Sequence, residues 1–212
     1  MAFSYILAGM DLQGLREEVR LRGGITANDK MWTDTQIDSL INTCFRRLAT
    51  RAEWWWLNIE TTATVSGGGD GTFVFPQGVV PRRVTGVSYE NREIQYQNYR
   101  DASNWRSRTG EPSRFTSYGE KYYVLPLPQE TYTLDVRITL PHDPVLSSDT
   151  DDPLAPVGGQ ELVVLDALNL MFSRSGDFER SRIFYSQYQQ YLADMLKENV
   201  RETEGYLPRR IP

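Results

Sequence analysis

The chain has 212 residues, with 23 Lys or Arg against 28 Asp or Glu and a net charge of -5; 40% of its residues are hydrophobic. That length and balance support one substantial domain, or a domain with a smaller module inserted in it, and exclude wholesale disorder. The acidic total disfavours a protein that grips nucleic acid, a single cysteine excludes an intrachain disulfide, and no run reaches the roughly 20 apolar residues that span a bilayer.

The run Ala2 to Met10 lacks the basic start of a secretory signal, so a protein made and used in the cytosol is expected. Asp11 to Arg22 reads as a short helix stopped by Gly23-Gly24. Thr33 with Gln36 forms a capping-box signature. Ile37, Leu40, Ile41, Cys44, Phe45, Leu48 and Ala52 then recur at helical spacing, with Asn42, Arg46 and Arg47 off the stripe. Cys44 on that stripe reads as a small core residue. Trp54, Trp55 and Trp56 follow. Consecutive residues cannot share one face, so at least one ring is expected in the core and another at a contact with a neighbouring subunit.

From Leu57 the pattern changes to strands. Asn58 to Ser66, the glycine-rich turn Gly67 to Gly71 and Thr72 to Phe75 give a hairpin signal. The turn lacks the Lys-Ser/Thr ending and following helix of a phosphate-binding loop. Arg83 to Tyr89 reads as a strand. Residues 91 to 118 read as a polar loop crossing the sheet, with a helical turn near Tyr99 to Trp105. Lys121 to Leu125 and Tyr132 to Leu140 alternate like paired strands bent at Pro126 and Pro128. Pro141 to Pro156 is an extended, exposed linker carrying Asp143, Asp149, Asp151 and Asp152, without the glycine and distal Glu of a calcium loop.

Two helices close the pattern. Gln160 to Arg174 carries Leu162, Leu165, Leu168 and Phe172. Asp177 reads as the N-cap of a helix to about Arg201, with the stripe Phe178, Phe184, Tyr185, Tyr188, Leu192 and Met195. Thr203 to Pro212 reads as an extended tail, because its two prolines forbid helix.

The expected fold class is α+β: a bundle of about four helices from both chain ends with a small antiparallel β-module inserted between them. The expected organisation is 1–56 as N-terminal helices, 57–141 as β-module, 142–158 as linker, 159–202 as C-terminal helices and 203–212 as tail.

Candidate chemistry is thin. His142, the one histidine, sits in the linker, and with Cys44 it cannot complete a zinc site. No nucleophile-elbow, dinucleotide or zinc-protease motif occurs. No cofactor or metal is expected, nor catalysis. Trp105, Arg106 and Arg108, and Arg82 with Arg83, pair basic groups with aromatics or with each other. Such clusters serve as interface anchors or as phosphate contacts.

The order of motifs carries more than any one of them. A helix with Ile37, Asn42 and Leu48 leads into Trp54 to Trp56. A hairpin ends in Phe75-Pro76, and a strand follows at Val84 to Val87. Next come Gly110-Glu111-Pro112 with Phe115, then Tyr122 to Pro128, Tyr132-Thr133-Leu134, Pro144 to Ser147 with its acidic loop, and a tyrosine-rich helix. In this order, from about Trp32 to Met195, the chain resembles the head-to-tail adaptor (connector) family of tailed phages, in particular the adaptors with a β-module between helices. The end of the last strand, Arg137-Ile138-Thr139, departs from the aromatic-rich pattern.

The resemblance implies a virion protein of the neck, assembled in the host cytoplasm. It implies a ring, usually twelvefold, docked beneath the portal, presenting a platform to a downstream tail or nozzle protein, with DNA passing through without specific binding and no membrane involved. The tail residues Tyr206, Leu207, Pro208, Arg209, Arg210 and Ile211 are the expected portal contact. Trp54, Trp55, Trp56, Trp105 and Arg106 are the expected subunit or tail-protein contacts. The competing readings are a tail-tube or tail-completion protein and a carbohydrate-binding virion module.

Overall fold

The structure is a computed structural model that describes residues 9–27, 29–76, 79–105, 108–142 and 145–205. Among these the chain forms helices α1 (Leu12–Gly23), α2 (Asp34–Ala49), α3 (Val157–Arg174) and α4 (Phe178–Gly205). Between α2 and α3 lie strands β1 (Asn58–Val65), β2 (Arg83–Tyr89), β3 (Arg92–Glu93), β4 (Gln95–Tyr96), β5 (Arg114–Tyr118), β6 (Lys121–Leu125) and β7 (Tyr132–Thr139). This is the α+β arrangement read from the sequence, with the strands inserted between N-terminal and C-terminal helices. The chain divides into two compact units: a helical unit of residues 1–57 and 142–212, and a β-module of 58–141.

In the helical unit α3 is the centre. It packs against α1, α2 and α4 and is buried on most sides, from Gln160 through Leu168 to Phe172. The caps follow the sequence. Asp11 accepts the Gly14 N–H at 2.8 Å, and Gly24 closes α1 at φ 65, a conformation that suits glycine. Thr33 and Gln36 form the capping box of α2. The Arg180 N–H donates to Asp177 at the start of α4.

The helical unit departs from the sequence reading at four places. Asn42 lies in the interior, 8% exposed. Phe178 and Tyr185 are exposed although placed on the α4 stripe, because the buried face of α4 is centred on Tyr188, Leu192 and Met195. Helix α4 continues to Gly205, past the expected start of the tail at 203, since the first proline comes only at 208. The linker is exposed at Ser147 to Thr150 but not free. The N–H groups of Leu12 and Gln13 donate to the carbonyls of Asp151 and Asp149, at 3.0 and 3.1 Å, so the linker backbone satisfies the open start of α1. Arg16 adds ion pairs to Asp38 and Asp149, both at 2.8 Å.

In the β-module, one sheet has the order β1-β7-β2-β3 and the other β4-β5-β6. Strand β7 alternates in burial, with Tyr132, Leu134, Val136 and Ile138 inside. The sequence reading paired β6 with β7. Instead β6 pairs with β5, in register Arg114↔Leu125 to Tyr118↔Lys121, through a two-residue turn at Gly119-Glu120. Strand β7 pairs along its whole length with β1. The expected hairpin from Asn58 to Phe75 reduces to one bridge, Thr64↔Val74, while Thr72 bridges to Tyr123 of β6. Segment 72–74 therefore joins the two sheets. Residues 114–118, read as loop, are strand, and β4 runs parallel to β5, as does the bridge Thr109↔Leu127, while the other pairs of named strands are antiparallel.

Candidate functional site

The tryptophan run forms a turn after α2. Trp54 is fully buried and its Nε1 donates to the Leu48 carbonyl at 2.6 Å. Its ring stacks on Trp56 at 4.5 Å, and Trp55 meets Trp56 edge-on at 5.9 Å. Asn199 of α4 ties the turn down: the Trp55 N–H donates to its Oδ1 at 3.0 Å, and its Nδ2 donates to the Glu53 carbonyl at 3.1 Å. Trp54 and Trp56 are buried in the single chain, and Trp55 alone of the three is half-exposed. Nearby Cys44 is also buried; burial first, and then the Asp166 carboxylate, push its thiol pKa well up, so it stays protonated.

A second aromatic surface lies in the β-module. Trp105 ends a short 3-10 turn, Asp101–Trp105. The guanidinium carbons of Arg108 and Arg114 lie 4.9 and 4.5 Å from its ring centroid. Arg114 Nη1 donates to Gln97 Oε1 at 3.3 Å, and Gln97 Nε2 donates to the Asp101 carbonyl at 3.1 Å, which ties strand β5 to the turn. Tyr99 stacks on Tyr118 at 4.2 Å, and Tyr118 stays 61% exposed. Arg106 lies outside the described residues. Arg114 was not among the expected contacts, because its strand was read as loop; the alternation Arg114-Phe115-Thr116 before Gly119 was the available signal. A groove of about 440 Å³ runs between β2 and β5, lined by Arg83, Val84, Tyr96, Phe115 and Tyr122.

Rings and guanidinium groups held in this way are the usual material of protein contacts. A family model described as SU10 adaptor protein matches residues 10–212. The chain belongs to this family of phage head-to-tail adaptors. The adaptor is accordingly a structural component of the virion at the head–tail junction. No curated protein matches it. Among the described residues, no helix of the adaptor is long and apolar enough to cross a membrane, and no group of three or more His, Cys, Asp or Glu is placed to hold a metal ion. The adaptor's expected portal contact, Tyr206 to Ile211, lies outside the described residues.

Proposed function

We propose that the adaptor acts as a closed ring under the portal, with the twelvefold copy number that the resemblance implies, joining capsid to tail and surrounding part of the DNA exit path. The observation that carries this reading is the family match across residues 10–212. The acidic total suits a wall along which DNA slides, since like charge prevents sticking. In this reading Tyr206 to Ile211 engage the portal: they follow the end of α4 with apolar residues and two arginines, a composition fit for a groove on a partner. Trp55, Trp105 and Arg106 meet a neighbouring copy or the downstream tail protein.

Deletion of residues 206–212 tests the portal contact. The truncated adaptor is expected to keep the unfolding temperature of the full chain and to lose co-sedimentation with its cognate portal. Undiminished portal binding would remove the tail from that role.

A further inference from the structure

Helix α4 has a second apolar face. One face is packed, through Tyr188, Leu192 and Met195. Beside it Phe178, Tyr185 and Val200 are 69%, 48% and 51% exposed. Arg182 falls between the first two at helical spacing, is exposed, and makes no ion pair among the described residues. Phe178 to Val200 spans about 33 Å of helix, which is long for scattered surface residues to share one side. Single exposed apolar residues need no explanation, but an aligned set on one element marks a contact.

A complementary face lies on α1. Leu21, at 77%, is the most exposed large apolar residue among those described. Glu17, one turn earlier on the same side, is exposed as well and accepts a hydrogen bond from Gln13. Both α1 and α4 pack on α3, so the two faces belong to one compact unit. One face offers apolar rings with a cation, the other an apolar branch with an anion. A closed ring repeats a contact between two different surfaces of the same chain, and these two are both apolar and opposite in charge.

We infer that α4 of one copy lies against α1 of the next, with Leu21 packed on Phe178 and Tyr185, and Glu17 facing Arg182. The inference rests on the ring reading above and names the surface through which the ring closes. Both sides are solvent-exposed in the single chain, so charge reversal at either leaves the fold intact.

The test is assembly of the full chain on its cognate portal complex, followed by sedimentation. The variants are Glu17→Arg, Arg182→Glu and the double exchange, with thermal unfolding as the control for folding. Each single reversal is expected to cut the assembled fraction on the order of tenfold, and the double exchange to recover most of it. Wild-type assembly with unaffected single variants would overturn this interface and leave the ring reading standing. Loss in both singles without recovery in the double would overturn the Glu17–Arg182 facing. No wild-type assembly on the portal would sink the ring reading and this interface with it.

Discussion

Asn42 is polar inside an apolar bundle because it pairs with backbone rather than with another side chain. Its Nδ2 donates to the Leu146 carbonyl at 3.0 Å, and its Oδ1 accepts the Leu146 N–H at 2.9 Å. One amide thus satisfies both backbone groups of a buried linker residue. Asn42→Leu removes both partners, so the midpoint of urea unfolding should fall by the equivalent of about 2–4 kcal/mol; a variant within about 0.5 kcal/mol of wild type would contradict this role. Helical spacing alone put Asn42 off the apolar stripe, because the residue it serves is 104 positions away and nothing local announces it. Asp151 shows the same kind of hidden partnership. Its carboxylate accepts the N–H groups of Ser147 and Ser148 at 2.6 and 2.8 Å, and these bonds, that of Ser148 first, lower its pKa. Asp34 is lowered too, chiefly by its hydrogen bond from Arg20. A carboxyl whose folded pKa is depressed contributes stability that is present above the unfolded value and lost as pH falls through the folded one. Unfolding temperature should therefore drop below about pH 4. Asp151→Asn keeps an acceptor oxygen but removes the titration, so its acid-side decline should be shallower; an identical decline would show that this turn adds nothing.

Among the elements, helices were the more legible. Their periodicity, the capping box at Thr33 and the glycine stop after α1 are local signals, and the structure has α1, α2 and α3 within three residues of where they were read. The strands β1, β2, β6 and β7 were legible as strands, but their partners were not, since pairing depends on residues far apart in sequence. The short turn at Gly119 decides that β6 returns along β5, and the prolines 126 and 128 carry the chain to the other sheet rather than making a hairpin. The glycine-rich turn has a packing reason beside its flexibility. A Cβ on Gly67 would lie 2.5 Å from Glu130 Cα and 2.6 Å from its carbonyl carbon, so backbone would have to move. Gly67→Ala is expected to destabilise by about 1–3 kcal/mol in urea unfolding. An unchanged midpoint would mean that the turn gives way freely.

At the scale of the whole molecule, charge and surface divide between the two units. Residues 58–141 hold nine basic and nine acidic residues, so the entire net charge of -5 falls on the helical unit. The β-module carries the Trp105 and Tyr118 surface, and the helical unit carries the exposed faces of α1 and α4. Which aromatic residues were core and which surface could not be read from the Trp54 to Trp56 run. Burial there is set by Asn199 and by the stacking of the rings themselves, and both depend on the packed bundle. The order of motifs along the chain carried the family assignment, which the match over residues 10–212 shows. In the proposed function this adaptor works only as a member of a ring beneath the portal. The most direct measurement is cryo-electron microscopy of the purified chain mixed with its cognate portal. The expected result is a ring of this protein stacked coaxially under the portal, with Tyr206 to Ile211 against portal subunits. A bare portal, with the chain left free or assembled into tubes by itself, would contradict it and favour a tail-tube role.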